Sequence, residues 1–246
     1  MMPSPSSSVN QVTLALRSFV FFVFQVVTLF IFAPLVLLFF AFPYRTRYAI
    51  SSTWAKLVIK GLKVICQLDY QVTGAEHIQG NGIIFCKHQS AWETFALQAI
   101  FPQQCWVMKR ELLWIPLFGW ALALTQPIAI DRSKKTRSFK QIIEQGDERL
   151  KTGRWVVIFP EGTRTAPGEK RKYMIGGALL AEKTGYPIIP VAHNAGEYWP
   201  KKAFIKYPGT IQVRIGPMIT SKGVSARELN HTAETWIEAQ MDQISN

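Results

Sequence analysis

The sequence predicts an α/β fold built around one sheet, preceded by an N-terminal helical segment that is embedded in a membrane. Two observations support this prediction. From residue 68 onward, short apolar runs bounded by turn residues alternate with helical stretches, a pattern typical of strands and helices packed around a sheet. Residues 18–44 contain no charged side chain, and a helix of that length, rising about 1.5 Å per residue, exceeds the roughly 30 Å of a bilayer core.

The chain begins with a short polar tail and then the uncharged segment. Residues 1–11 are rich in serine and proline, which predicts disorder. The uncharged segment is too long for the apolar core of a signal peptide and lacks a convincing cleavage site, so we expect it on the mature protein. Pro34 lies inside it, and proline interrupts helical hydrogen bonding. Two arrangements stay open: one kinked helix that spans the bilayer, or a helical hairpin that enters one leaflet and returns.

Residues 48–67 predict an amphipathic helix. Apolar side chains repeat there at helical spacing, and Lys56, Lys60 and Lys63 lie around the other side. Such a helix either lies on an anionic lipid surface or packs against its own domain. These lysines follow the uncharged segment, whereas Arg17 is the only charged side chain before it. The positive-inside rule then predicts that the rest of the chain is cytoplasmic, and the hairpin arrangement predicts the same side.

The remaining residues are predicted to form one domain, because they contain no internal repeat and no linker long enough to divide them. The division is therefore a tail at 1–11, a membrane-anchoring helical segment at 12–67 and an α/β domain at 68–246. The predicted strands are residues 68–73, 82–87, 105–109, 126–130, 155–159, 186–191 and 210–215. The predicted helices are residues 91–100, 117–124, 137–151, 177–184 and 225–243.

Composition narrows the class of partner. The net charge is +12 and 48% of the residues are hydrophobic, which suits an anionic membrane surface or a negatively charged substrate. No zinc-finger spacing or RNA-binding motif accompanies the charge, so we expect no nucleic-acid partner. The three cysteines are odd in number and form no CxxC, which predicts buried free thiols in a reducing compartment. The four histidines show no tight metal-ligand spacing, so no metal site is expected.

The stretch GIIFCKHQSAWETFAL, residues 82–97, carries the first candidate site. His88 follows an apolar run that predicts a buried strand, and Glu93 falls in the first turn of the next predicted helix. A histidine with a carboxylate on one ring nitrogen can act as a general base through the other. The alternative is structural, because Ser90-Ala91-Trp92-Glu93 is also an S-x-x-E capping box in which Glu93 folds back onto the helix start.

Three further loops follow predicted strands. Lys109 and Arg110 are adjacent cations in KREL, able to hold a phosphate or to form a solvated turn. In FPEGTR, Gly162 permits a tight turn and Arg164 offers a planar fork to phosphate oxygens, although a surface arginine on an ordinary turn would look the same. The fourth loop, IIPVAHN, is mostly apolar and predicts a core strand with its exit.

Taken in this order, the four blocks resemble those of the 1-acyl-sn-glycerol-3-phosphate acyltransferase family of membrane glycerolipid acyltransferases. HQSAWE is similar to the family's H-x4-D block, with Glu93 where the family usually has aspartate. FPEGTR matches the third block as it stands, and KREL and IIPVAHN are similar to the second and fourth. The resemblance covers roughly residues 81–194. It implies a glycerol-3-phosphate acyltransferase-like fold, a mixed sheet flanked by helices.

The resemblance also implies an activity. A fatty acyl group would pass from an acyl thioester, acyl-CoA or acyl-carrier protein, to the sn-2 hydroxyl of lysophosphatidic acid, giving phosphatidic acid. His88 would be the general base and Glu93 its orienting carboxylate, with Asp131 a second candidate acid and Arg132 a further cation. The implied phosphate-binding residues are Lys109, Arg110, Glu161, Gly162, Thr163 and Arg164.

No nucleophile elbow, G-x-S-x-G, occurs in the sequence, so direct attack without an acyl-enzyme is the simpler mechanism. We expect no bound cofactor, the thioester being a co-substrate, and a membrane-bound protein whose active site faces the cytoplasm, at the inner membrane in a bacterium. Two alternatives remain: the same chemistry on another lysolipid, and a non-catalytic membrane protein that binds anionic lipid.

Overall fold

The computed structural model describes residues 10–131 and 135–245, with backbone alone at residues 135 and 136. Arg132 and residues 1–9 of the predicted tail therefore lie outside the described residues. Of the rest of that tail, Asn10 caps the first helix by accepting a hydrogen bond from the Val12 N–H, and the helix begins at Gln11.

Strands occur in all seven predicted places. They are β1 (Leu68–Thr73), β2 (Ile83–Cys86), β3 (Gln104–Lys109), β4 (Ile128–Ile130), β5 (Trp155–Ile158), β6 (Ile188–His193) and β7 (Gly209–Ile215). They form one sheet in the order β1-β7-β6-β2-β5-β3-β4. The β6–β7 pair is antiparallel and the other neighbours are parallel, so the predicted mixed sheet is confirmed.

The helices of the described residues agree with the prediction, with one addition. They are α1 (Gln11–Leu38), α2 (Tyr44–Cys66), α3 (Trp92–Ile100), α4 (Phe118–Ala123), α5 (Lys135–Lys151), α6 (Gly176–Thr184), α7 (Ala195–Tyr198) and α8 (Ala226–Ile244). Short 3₁₀ helices lie at Ala75–His77 and Arg110–Trp114. The one-turn helix α7 was not predicted, because four residues are too few to display a helical period.

The sheet lies between two helical layers. Alternate residues of β2 face opposite layers: Ile84 and Cys86 pack with α2 and α3, and Ile83 and Phe85 pack with α5, α6 and α8. All four side chains are fully buried, which explains why β2 is a continuous apolar run rather than an alternating one. Because β3, β5, β2 and β6 run parallel, the loops that follow them meet at one edge of the sheet.

Strand β6 extends two residues beyond the predicted end, to His193. The sequence around Pro190 favours an exit loop, but Ala192 and His193 pair with Arg214 and Val213 of β7. The antiparallel pairing keeps the chain extended and places His193 inside the sheet, where it is 1% exposed.

The uncharged segment forms one helix. Helix α1 continues through Pro34 to Leu38, and the chain reverses at residues 39–43 so that α2 returns along α1. Among the described helices, α1 alone has the length and mean hydropathy, 2.6, of a bilayer span. Its outward face exposes a band of large apolar side chains. These are Val12, Leu16, Phe19, Val20, Phe22, Val23, Val27, Phe30, Ile31, Leu35 and Leu38.

The inner face of α1 packs along the domain. The Ser18 Oγ accepts a hydrogen bond from the Lys206 N–H at 2.9 Å. The Phe21 ring meets the edge of Trp199 with centroids 5.8 Å apart. Further along the helix, the Trp54 indole N–H of α2 donates to the Thr28 hydroxyl. Contact between α1 and the rest of the molecule therefore extends over several helical turns.

Helix α2 packs its apolar face into the core on which the sheet rests. Val58, Ile59 and Leu62 belong to the cluster that also contains the β2 and β6 side chains, while the lysines at 56, 60 and 63 are exposed. The apolar face of α2 therefore packs against its own domain, which was one of the two predicted arrangements. The exposed lysine face is free to contact a lipid surface. The division of the chain at residue 67 stays a prediction.

Candidate active site

His88 and Glu93 contact each other in the loop between β2 and α3. The His88 Nδ1 lies 2.8 Å from Glu93 Oε1, and the imidazole stacks on the Phe159 ring with centroids 3.9 Å apart. Since a carboxylate only accepts, Nδ1 carries the proton in this pair. No described residue hydrogen-bonds to Nε2, and His88 lines the main cavity of the molecule. The free lone pair of neutral His88 is thus on the nitrogen available to a ligand.

Glu93 combines both of the roles that the sequence left open. It is fully buried, and its carboxylate accepts the N–H groups of Gln89 and Ser90 as well as that of the His88 ring. Burial alone would raise the pKa of the carboxyl, but the hydrogen bonds from the His88 ring and the Ser90 N–H lower that pKa below its ordinary value. Glu93 is therefore held as an anion.

Ser90 completes the start of α3. Its hydroxyl accepts a hydrogen bond from the Trp92 N–H at 3.2 Å and donates to the Trp199 carbonyl at 2.7 Å. The predicted capping box is thus formed in a modified way. The Ser90 hydroxyl accepts from the Trp92 N–H, whereas in the usual box it would accept from the Glu93 N–H. The bond to Trp199 also ties this loop to the segment that follows β6.

The loop after β5 fixes the His88 backbone at both of its polar groups. The His88 N–H donates to Glu161 Oε2 at 2.8 Å, and the His88 carbonyl accepts from the Thr165 N–H at 2.8 Å. The Thr165 hydroxyl bonds to the same carbonyl and to Glu161 Oε1. His88 is therefore positioned by its side-chain partner Glu93, by Glu161 of the FPEGTR block and by Thr165, which directly follows that block.

A buried ionic cluster lies beneath this loop. Lys87 is 1% exposed, and its ammonium lies 2.7 Å from both Glu161 Oε1 and Glu238 Oε1 of α8. The Tyr173 hydroxyl donates to Glu238. Burial would lower the pKa of Lys87, but the two carboxylates raise it above its ordinary value, so Lys87 is charged. The cluster links α8, at the end of the chain, to the loop that holds His88.

His193 occupies the space behind Glu93. Its Nε2 donates to the Lys87 carbonyl at 2.8 Å, and its Nδ1 accepts from the Ala195 N–H at 3.2 Å. Burial lowers the pKa of His193, which keeps the ring neutral. Both ring nitrogens are engaged, so His193 supports the end of β2. The sequence placed this residue in an exit loop and offered no sign of the contact.

A cavity of about 700 Å³ opens in front of His88. Lys109 and Arg164 line it, as do Gly162 and Thr163. In the described part of the chain, no acidic side chain forms a salt bridge with Lys109 or Arg164. These two cations therefore offer their charge to the cavity beside the candidate base.

Two of the predicted phosphate ligands have other roles. The Glu161 carboxylate is 4% exposed and is occupied by Lys87, His88 and Thr165, so it is a buried anion that positions the loop and cannot hold a phosphate. Gly162 adopts φ +71°, and its N–H donates to the Phe159 carbonyl within the turn. Its amide is thus committed to the turn and not to an anion.

Arg110 and Asp131 contact each other rather than the loop that carries His88. The Arg110 guanidinium lies 3.3 Å from Asp131 Oδ2 and over the Trp114 ring, and Arg110 does not line the cavity. Asp131 was a candidate acid for His88, but its carboxylate is in this ion pair and Glu93 holds the histidine. Of the adjacent cations Lys109 and Arg110, only Lys109 lines the cavity.

Other residues of the site had no signal in the sequence. Phe159 supports the His88 ring, and Trp199, Lys201 and Lys202 line the cavity from the segment after α7. This segment lies more than a hundred residues from His88 and carries no motif, so only the folded chain brings it there. The three cysteines are free and buried, as predicted, and no group of metal-ligating side chains is found among the described residues.

Comparison with known proteins identifies the family of the chain. The acyltransferase family profile matches residues 69–194. The chain is 49% identical over 208 residues to the 1-acyl-sn-glycerol-3-phosphate acyltransferase of Pseudomonas aeruginosa, covering 82% of this chain and 81% of that protein. It is 29% identical over 188 residues to the enzyme of the same name from Saccharomyces cerevisiae, covering 74% and 62% of the two chains.

The fold has a solved counterpart. The crystal structure of the 1-acyl-sn-glycerophosphate acyltransferase PlsC from Thermotoga maritima superimposes with a TM-score of 0.78 at 23% identity, covering 93% of this chain and 94% of that one. The chain therefore belongs to the 1-acyl-sn-glycerol-3-phosphate acyltransferase family, and it is an acyltransferase.

Proposed function

We propose that this protein transfers a fatty acyl group from an acyl thioester, acyl-CoA or acyl-carrier protein, to the sn-2 hydroxyl of 1-acyl-sn-glycerol-3-phosphate, forming phosphatidic acid. The observation that carries the proposal is the His88–Glu93 pair, 2.8 Å apart, at a cavity that combines a large apolar wall with unpaired cations. The names of the relatives supply the acceptor, and the site supplies a chemistry that fits it.

His88 acts as the general base in this mechanism. Its Nε2 removes the proton from the acceptor hydroxyl as the hydroxyl oxygen attacks the thioester carbonyl. The Nδ1–H group keeps its proton and its hydrogen bond to Glu93. The carbon–sulfur bond then breaks, and the imidazolium returns the proton to the leaving thiolate. The buried anion Glu93 stabilises the imidazolium between these two events. No covalent acyl-enzyme is needed, because the acceptor itself is the nucleophile.

Lys109 and Arg164 bind the acceptor's phosphate. A phosphate monoester carries more negative charge than the diester of most other lysophospholipids, so two cations with no acidic partner among the described residues favour lysophosphatidic acid as the acceptor. Arg164 presents a planar fork and Lys109 a point charge, both at the cavity that contains His88. Holding the phosphate at one end of the molecule brings the sn-2 hydroxyl to the base, and such positioning contributes much of the acceleration.

The apolar wall of the cavity receives fatty acyl chains. It is formed by α1, α3, β3 and α4, with Leu29, Phe95, Met108, Phe118 and Leu122 among its side chains. Along residues 114–124, Trp114 and Trp120 point outward and are more than half exposed, whereas Phe118, Ala121 and Leu122 line the cavity. Burial of alkyl chains there contributes about 0.8 kcal/mol per methylene.

We infer that α1 and α2 form a hairpin that embeds the protein in one leaflet. Helix α1 contacts the domain from Ser18 to Val36, a length of about 27 Å at 1.5 Å per residue, so a membrane-spanning α1 would carry the charged domain into the hydrocarbon. A flat orientation instead buries the exposed apolar band of α1 and leaves the cavity at the membrane surface. This arrangement favours the hairpin over the spanning helix and keeps the active site on the cytoplasmic side.

The test is an assay of phosphatidic acid formation in mixed micelles. Purified protein receives labelled lysophosphatidic acid with oleoyl-CoA or oleoyl-acyl-carrier protein, and lysophosphatidylcholine replaces the acceptor in parallel. We expect product with lysophosphatidic acid and a loss of at least about a hundredfold for His88→Ala, the usual contribution of a general base.

The control is His231→Ala, which removes a histidine from the exposed face of α8 and is expected to retain activity. If lysophosphatidylcholine is the better acceptor, the assigned substrate is wrong. If all acceptors and donors give no product while labelled lipid still binds, the chain is a lipid-binding protein and the proposal fails.

A further inference from the structure

The segment that follows α7 carries three lysines, and two of them line the cavity in front of His88. Lys201 and Lys202 are exposed and line the same cavity as His88 and Arg164. Lys202 and Lys206 line a second cavity of about 310 Å³, to which Arg164 and Trp199 also contribute. The two cavities share wall residues, among them Arg164, Trp199 and Lys202, so they lie side by side. Lys201 and Lys202 are called the lysine pair below.

The segment is fixed in place by a buried cation. Lys206 is 4% exposed, and its ammonium lies 4.8, 5.0 and 5.5 Å from the ring centroids of Trp199, Phe204 and Phe21. Its Nζ donates to the Phe204 carbonyl at 2.7 Å. Cation–π contacts of this kind hold the segment against α1. The contacts of Lys206 therefore fix the chain just after the lysine pair.

The lysine pair itself is shaped by two features. Lys201 Nζ donates to the Arg164 carbonyl at 2.6 Å, which joins this segment to the FPEGTR loop. Lys202 has φ +62°, a conformation that a residue with a side chain rarely adopts. Strained backbone of this type is common at functional sites. At Lys202, the strained backbone determines the direction in which the side chain leaves the main chain at the cavity wall.

The sheet order separates two sets of cations. His88 follows β2; Lys109 and Arg164 follow β3 and β5 on one side of β2, whereas the lysine pair follows β6 and α7 on the other. Both substrates of the proposed reaction are anionic, and both must reach His88 at once. The two sets meet at the cavity, where Lys201 reaches the Arg164 carbonyl, and together they offer positive charge to two anionic substrates.

We propose that the lysine pair binds the phosphate of the acyl donor's phosphopantetheine arm. This inference rests on the proposed function, in which Lys109 and Arg164 hold the acceptor. The phosphopantetheine phosphate is common to acyl-CoA and to acyl-carrier protein, so the site serves either donor, and acyl-CoA adds the phosphates of its nucleotide. The thioester then lies between the lysine pair and the apolar wall, within reach of His88.

The experiment compares donors with and without phosphate. Kinetic constants are measured for K201A/K202A with oleoyl-CoA, with oleoyl-acyl-carrier protein and with the oleoyl thioester of N-acetylcysteamine, which carries no phosphate. We expect the KM for the phosphate-bearing donor that the enzyme uses to rise about tenfold or more. The KM for lysophosphatidic acid and the turnover of the phosphate-free donor should stay within about twofold of wild type.

The matched control is K183A/K222A, which removes two exposed lysines distant from the cavity and so reproduces the change in net charge. It should leave all donors unaffected. A rise in the KM for lysophosphatidic acid instead of the donor would overturn the inference and assign the pair to the acceptor. Equal losses with all three donors would overturn it as well, since they would indicate a structural role.

Binding provides a readout that does not need turnover. Calorimetric titration of free CoA into wild type and K201A/K202A should show weaker binding by the variant when CoA is the donor. If wild type makes no phosphatidic acid yet CoA binding depends on the lysine pair, the proposed acceptor fails and this inference stands. If wild type is active with oleoyl-CoA but the variant binds CoA as well as wild type, this inference alone fails.

Discussion

The floor beneath His88 and the rim in front of it are both charged, but they differ in how the charge is balanced. The floor consists of Lys87, Glu93, Glu161 and Glu238, and each of these groups has a partner at 2.7 to 2.8 Å. Three of the four are less than 5% exposed. The rim consists of Lys109, Arg164, Lys201 and Lys202, and no described acidic residue forms a salt bridge with any of them.

The difference follows from the cost of burying charge. A buried ion without a partner loses several kcal/mol of hydration, so the floor can exist only with its pairs complete. Rim cations keep part of their hydration, so they are stable without an acidic partner and can bind an anionic ligand. The floor therefore determines where His88 stands, and the rim determines which anions reach it. Substitutions in the floor should be costly in stability or rate, and substitutions in the rim should change affinity.

The largest expected effect is that of Lys87→Met. Removing this ammonium leaves the buried Glu161 and the partly exposed Glu238 without their cation, which costs about 3–5 kcal/mol of unfolding free energy. That loss corresponds to a drop in Tm of about 10 °C for a chain of this size, measurable by thermal unfolding in detergent.

The exposed pair Lys170–Asp242 gives the control, because Asp242 lies one turn from Glu238 on α8. Lys170→Met should change the Tm little. Adding Glu161→Gln to Lys87→Met should recover part of the loss, since it removes one uncompensated charge. Equal drops in Tm for Lys87→Met and Lys170→Met would show that the floor is no different from an exposed ion pair.

The next effect is that of Glu93→Gln on turnover. Glutamine retains an oxygen to accept the Ser90 N–H, so the helix start is kept while the charge beside His88 is lost. We expect kcat/KM to fall about a hundredfold with little change in KM, because the imidazolium is no longer stabilised. Steady-state kinetics with lysophosphatidic acid provide the measurement.

Glu93→Asp is the matched variant, as it keeps the charge and restores the acid more usual in the family. One methylene fewer cannot satisfy His88 and the Gln89 and Ser90 amides at the same positions, so an intermediate loss of about tenfold is expected. Full activity of Glu93→Gln would mean that the carboxylate serves only as a cap.

The smallest effects are expected at the rim, where two neighbours differ. Lys109→Ala should raise the KM for lysophosphatidic acid about tenfold, since Lys109 lines the cavity. Arg110→Ala should change it by less than about threefold, because Arg110 is paired with Asp131 outside the cavity. If Arg110→Ala has the larger effect, the acceptor phosphate binds on the Asp131 side and the assignment of the rim must be revised.

The local sequence pattern was sufficient to predict those features of the fold and of the site that depend on residues close together in the chain. The strands of the sheet were predictable because runs such as Ile83–Cys86 have no polar residue, which only burial on both faces permits. The contact of His88 with Glu93 was also predictable, because five residues across a strand-to-helix turn leave few other positions for the carboxylate. Even the competing cap was correct, since one carboxylate accepts from both groups.

Long-range contacts decided the remainder. Glu161 was expected to face phosphate because it lies in a polar loop between Pro160 and Gly162, but Lys87, seventy-four positions earlier, draws its carboxylate inward. The pairing of Asp131 with Arg110 and the arrival of Lys201 beside Arg164 are of the same kind. No periodicity in the sequence records which two distant charges will meet.

By itself, then, the sequence determined the layered α/β fold, the long apolar helix and the contact between His88 and Glu93. These depend on hydrophobic period and on neighbours within a few positions, which are properties of a local stretch. The tertiary structure decided which charges are buried as support and which remain open to substrate. That choice depends on where separate loops meet at the edge of the sheet, and burial then forces each charge either to find a partner or to stay in water.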